Sequence, residues 1–193
     1  MHIFLQGRRG VGKSTVIRSA LDILSGSVPL SFGGFFTWNS GKDDPRVYMR
    51  PAFQGAEFKR GYISVCSAEG EMYLLASWDT EKGGMSCNTQ GFERDGTRLL
   101  ENSRDSGLII MDELGFLESD AARFKQAVMD TLAGDVPVLG VLRLGGVPWH
   151  EEIKRNPRVT LVDVTEENRD TLPGELAERL LAAFRGLPES LLY

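Results

Sequence analysis

Gly7-Arg8-Arg9-Gly10-Val11-Gly12-Lys13-Ser14 is the stretch from which the rest of the chain is read. Its spacing, Gly, four residues, then Gly-Lys-Ser, is that of a phosphate-binding loop. A short apolar run, His2 to Leu5, leads into it, and Val16, Ile17, Ala20, Leu21 and Leu24 follow at helical spacing. Strand, glycine-rich turn and helix start, in that order, let backbone N–H groups converge on one bound anion. Glycines allow the turn to bend round phosphates without side-chain clash. Lys13 is expected to reach the β- and γ-phosphates and the Ser14 hydroxyl to take one position on Mg²⁺. Gly7, Arg8, Arg9, Gly10, Val11, Gly12 and Thr15 complete the expected wall around the phosphates. A chance match in an ordinary glycine-rich turn would lack the flanking strand and helix. The motif implies phosphate binding and does not alone imply hydrolysis.

Leu108-Ile109-Ile110-Met111-Asp112-Glu113 supplies the second half. Four consecutive apolar residues predict a strand covered on both faces in a parallel sheet. Acidic residues then follow at its carboxyl end, where ligands bind in open α/β sheets. Asp112 is placed to hold Mg²⁺ through its water shell, and Glu113 to orient or deprotonate a water attacking a γ-phosphate. The bland alternative is that the two carboxylates cap the next helix.

Outward from these motifs, strands and helices alternate. Leu30 to Thr37 reads as a strand, and about 38–80 as a small β-rich insertion with short alternating runs at Tyr62-Ile63-Ser64-Val65 and Tyr73-Leu74-Leu75. Gly83-Gly84 reads as a loop and Phe92 to Asn102 as a short helix. Glu118 to Leu132 has helical spacing, Val136 to Leu142 is a second doubly buried strand, Trp149 to Lys154 a helix, Val159 to Val164 the last strand and Pro173 to Phe184 the last helix. The pattern predicts one α/β domain over 1–193 with a mostly parallel sheet flanked by helices.

The 193 residues, 41% hydrophobic and 25% charged, are ordinary for one globular core. A formal net charge of −5 without a run of Lys and Arg argues against nucleic-acid binding. Two cysteines, Cys66 and Cys87, are too few for a disulfide framework and read as reduced thiols of a cytoplasmic protein. The first residues lack a basic leader and an extended apolar segment, and no later segment is apolar enough to cross a bilayer.

Arg8, Arg9, Arg46, Arg143 and Arg169 are the candidates for neutralising charge at a transferring phosphoryl group. Arg143 closes the buried strand that ends at Leu142 and so should emerge on the same sheet edge as the phosphate loop. Phe35, Phe36 and Trp38 could stack on a base, although core packing is the simpler role for the two phenylalanines. His2 and His150 lie far apart with no accompanying ligand pattern, which argues against a histidine metal site.

These residues resemble a known family, the P-loop nucleoside-triphosphatases of archaea, bacteria and animals, sometimes called cancer-related nucleoside-triphosphatases. The resemblance runs over nearly the whole chain. It rests on Gly7 to Ser14, Gly34-Phe35-Phe36-Thr37, Asp112-Glu113-Leu114-Gly115, Phe124-Lys125-Gln126-Ala127-Val128 and Thr165-Glu166-Glu167-Asn168-Arg169. It implies a RecA-like P-loop fold that hydrolyses ATP, GTP and other nucleoside triphosphates to diphosphate and phosphate. It also implies that Asn168 and Arg169 lie near the nucleotide. The chain departs from the family after Thr37, where relatives carry acidic and basic residues and then G-x-R-x-G-F. Here Trp38-Asn39 and Arg46-Val47-Tyr48 stand instead, with Arg46 the candidate for the retained arginine.

Two other readings use the same loop. A nucleotide or small-molecule kinase would replace water with an acceptor hydroxyl or phosphate, and Glu113 argues against it. A nucleotide-dependent regulatory switch would use hydrolysis only to reset itself. No Asn-Lys-x-Asp follows the acidic strand to read guanine, so base preference is expected to be loose.

Overall fold

A computed structural model describes residues 1–41, 45–52 and 72–184. In chain order the elements are β1 (His2–Gln6), α1 (Lys13–Ser25), β2 (Phe32–Asn39), β3 (Arg46–Pro51), β4 (Tyr73–Asp79), β5 (Gly84–Cys87), α2 (Thr89–Gly91), a π-helical turn (Phe92–Gly96), α3 (Thr97–Glu101), β6 (Leu108–Leu114), α4 (Ala122–Ala133), β7 (Val138–Leu142), α5 (His150–Arg155), β8 (Val159–Asp163) and α6 (Leu172–Phe184).

The strands form one sheet in the order β5-β4-β3-β2-β6-β7-β1-β8. From β8 to β2 the pairings are parallel, as expected where helices provide the crossovers. From β2 to β5 they are antiparallel. The β-rich segment therefore lengthens one edge of the main sheet through direct pairing of β2 with β3. The expected strand at Tyr62 to Val65 lies outside the described residues.

The alternation of strand side chains builds two cores. Ile3, Leu5, Phe36, Leu108, Ile110, Leu139 and Val141 face α1 and α6, where Ile17, Leu21, Leu24, Leu176 and Leu180 meet them. Phe4, Phe35, Ile109, Met111, Val138 and Leu142 face the other way, against Leu100, Phe124, Val128, Leu132 and Ile153. Because β6 and β7 contribute to both clusters, they carry no polar alternation, which is why they read as continuous apolar runs. Gly140 has a steric reason: a Cβ there would lie 2.5 Å from the Phe4 ring of neighbouring β1.

Several boundaries depart from the sequence reading: the strand expected over Leu30 to Thr37 runs over Phe32–Asn39, and the helix expected from Phe92 to Asn102 divides into a π-helical turn and α3. The helix expected from Glu118 starts at Ala122, because Glu118 turns inward to accept the Gly115 N–H and residues 116–120 form turns. β7 starts at Val138 rather than Val136, although the Pro137 carbonyl still accepts the Ile109 N–H at 2.9 Å. Gly84 belongs to β5, so the loop of the β4–β5 hairpin ends at Gly83. Among the described residues no helix is long and apolar enough to cross a membrane.

Candidate active site

β1 delivers the chain to Gly7 at the carboxyl edge of the sheet, and the loop closes onto α1 at Lys13. Gly10 and Gly12 hold φ of 81° and 112°, a region that side chains with Cβ rarely adopt. Val11 is the loop's buried anchor. The first α1 hydrogen bond runs from the Val16 N–H to the Gly12 carbonyl at 2.9 Å, so the preceding N–H groups of the helix start open toward the loop. Lys13 curls over that opening, its Nζ donating to the carbonyls of Gly7 (2.9 Å) and Arg8 (3.1 Å).

Asp112 lies on the face of β6 turned to α1. The Ser14 hydroxyl donates to its Oδ1 at 3.1 Å. Burial pushes the Asp112 carboxyl up to about 6; the Ser14 hydrogen bond works against that rise, Glu113 adds to it, and Arg18 and Lys13 oppose it. The native protein thus holds a proton that the unfolded chain has lost between about pH 4 and pH 6. Stability falls as pH rises through that interval. Asp112→Asn is therefore expected to exceed wild type in urea melts at pH 8, by up to about 3 kcal/mol, and to match it below pH 4. Equal stability at both pH values would show that the buried carboxylate carries no such penalty.

Glu113 is the next residue on the strand and faces other partners. Its backbone N–H leaves the β6 ladder to bond the Thr37 hydroxyl of β2 at 3.2 Å. Its carboxylate stands 3.8 Å from the Arg143 guanidinium. Arg143 follows β7 directly, and its guanidinium lies 4.6 Å over the Phe116 ring. Since β7 separates β1 from β6, the end of β7 brings Arg143 to the carboxyl edge between the phosphate loop and Glu113. Neither acidic residue caps a helix, as α4 begins only at Ala122.

The remaining candidates disperse. Arg8 pairs with Glu166 at the surface, and Arg9 is exposed in the loop. Arg169 reaches the loop, its Nη1 3.5 Å from the Val11 carbonyl. Asn168 commits its amide to the turn after β8, accepting the Thr165 N–H and donating to the Asp163 carbonyl, both at 2.8 Å. Arg46 opens β3, two strands away from β6. Phe35 and Phe36 are core residues, one in each cluster, whereas Trp38 is exposed and packs 5.7 Å from the Tyr48 ring. His2 and His150 are buried, which depresses both to about 4 and keeps them neutral. Among the described residues no group of three or more His, Cys, Asp or Glu could hold a metal.

A family model described as NTPase matches residues 2–177. The chain belongs to the NTPase family. This NTPase is 30% identical over 183 residues to the nucleoside-triphosphatase THEP1 of Methanosarcina barkeri, over 93% of this chain and 97% of that one. Its fold matches the crystal structure of THEP1 from the hyperthermophile Aquifex aeolicus with a TM-score of 0.70 and 25% identity, covering 93% of this chain and 99% of that one. The solution structure of a human cancer-related nucleoside triphosphatase matches with a TM-score of 0.68 and 25% identity, covering 94% and 97%.

Three residues around the site of this NTPase were not singled out from its sequence. Arg18, whose charge favours ionised Asp112, lies four residues after Ser14 and hence on the same helix face, a spacing that could have revealed it. Thr37 stood only inside the Gly34 to Thr37 signature. Glu118 looked like the start of a helix and is instead 98% buried behind Gly115.

Proposed function

We propose that this NTPase hydrolyses the terminal phosphoanhydride of a Mg²⁺-bound nucleoside triphosphate, with loose base preference, using Lys13, Glu113 and Arg143. The loop from Gly7 to Ser14, with Thr15 and Arg169 beside it, would cradle the phosphates with its N–H groups, and Lys13 would exchange its carbonyl partners for phosphate oxygens. Ser14 and Asp112 are the residues that would hold Mg²⁺. Their oxygen-only donor set and the 3.1 Å hydrogen bond between them suit a hard cation, which when bound would neutralise phosphate charge. Glu113 would orient the attacking water and accept its proton. Arg143 would offset the charge that spreads over the transferred phosphoryl oxygens.

The observation that carries this reading is the strand order. With β7 between β1 and β6, a phosphate-binding loop, an arginine and a carboxylate follow one another along one sheet edge. We read the chain as one domain in which about 38–80 is an edge insertion, and as cytoplasmic, in keeping with the free thiol of Cys87.

The test is phosphate release from ATP, GTP, CTP and UTP, with Mg²⁺ and with EDTA. Release from several nucleotides, abolished by EDTA and restored by excess Mg²⁺, is expected. No release without an acceptor, but transfer when a nucleotide or small-molecule acceptor is added, would replace hydrolase with kinase.

A further inference from the structure

Glu118 is a carboxylate only 2% exposed, outside the reacting groups named above. Its Oε1 accepts the N–H of Gly115, and the Trp149 indole donates to the Gly115 carbonyl at 3.1 Å. Both polar groups of the Gly115 backbone are thus held from the protein interior.

Arg143 lies along this same turn. Its backbone N–H donates to the Leu114 carbonyl at 2.9 Å. Its stem covers Gly115, where a Cβ would stand 3.4 Å from Arg143 Cδ and 4.0 Å from Glu118 Oε2. Its guanidinium rests on Phe116. Leu114, Gly115 and Phe116 therefore support in turn the backbone, the stem and the guanidinium of one residue, and Glu118 fixes the middle of the three.

We infer that Glu118 is a positioning residue: by holding the Gly115 turn, it sets where the Arg143 guanidinium stands beside Glu113. A carboxylate buried this deeply is costly, and by accepting the backbone N–H groups of Gly115 and Glu118 it stiffens the turn, which is what an Arg143 side chain 41% exposed needs to keep one geometry. Burial pushes the Glu118 carboxyl up to about 7; the N–H groups of Gly115 and of Glu118 itself work against the rise, Glu113 adds to it, and Arg143 opposes it. The inference rests on the reading that Arg143 assists the reaction.

A double-mutant cycle tests it, with kcat and KM for Mg²⁺-ATP measured on the full chain for Glu118→Ala, Arg143→Ala and the pair. Glu118→Ala is expected to lower kcat by about 10–100-fold, the scale of misplacing a reacting group by an ångström, with KM almost unchanged. In the Arg143→Ala background it should lower kcat no further. Trp149→Phe, which removes the indole donor to Gly115 while keeping an aromatic ring in the core, should show the same non-additivity at smaller amplitude and serves if Glu118→Ala does not fold. Losses that multiply in the double variant would overturn the role of Glu118 while leaving Arg143 in the reaction. An Arg143→Ala enzyme with wild-type kcat would overturn the Arg143 reading and the proposal with it.

Discussion

Glu113→Gln is expected to cut phosphate release by about 10²–10⁴-fold, the range for loss of a positioned general base. The substitution keeps size and leaves untouched the backbone N–H that bonds Thr37. It removes the capacity to take a proton from water and the charge facing Arg143 at 3.8 Å. Ser14, Asp112 and Lys13 are unaltered, so nucleotide affinity should stay within a few-fold of wild type. Single-turnover phosphate release and equilibrium binding of a labelled nucleotide, run on the same preparation, separate the two effects. Undiminished release would remove Glu113 from the reaction. Loss of binding instead would make it a binding residue.

Lys13→Ala is expected to weaken nucleoside triphosphate binding by about 10²–10³-fold, as for truncating one partner of a buried charged pair. Lys13 is 9% exposed and already bonded to two loop carbonyls, so its ammonium is held at the mouth of the loop rather than waving in solvent. Bringing it onto phosphate oxygens exchanges neutral acceptors for charged ones, which strengthens each bond. The effect should be larger for a triphosphate than for a monophosphate, because the expected contacts are to the outer phosphates. Calorimetric titration with ATP and AMP checks this. Unchanged affinity for ATP would sever Lys13 from the phosphate site.

These two side chains could be picked out because their signals are local. Eight consecutive residues define the loop, and an apolar run followed by two acids defines β6. Arg143 follows from the rule that a buried parallel strand ends at the ligand edge of the sheet, and its guanidinium stands 3.8 Å from the Glu113 carboxylate. Helical spacing starts α4 at Glu118, four residues before its actual start at Ala122, because spacing does not distinguish a residue on a helix from one that turns inward to accept a backbone amide.

The sequence alone carried the α/β class, the places of the parallel strands and the loop proposed to bind phosphate, since side-chain period and turn chemistry are properties of neighbouring residues. Strand order is not such a property. That β7 inserts between β1 and β6, that β3 to β5 pair onto β2, and that Glu118, Trp149 and Arg143 meet at Gly115 all depend on contacts between residues distant in the chain. Those contacts are selected by how two apolar layers pack on one sheet, and so they emerge only when the whole core is assembled.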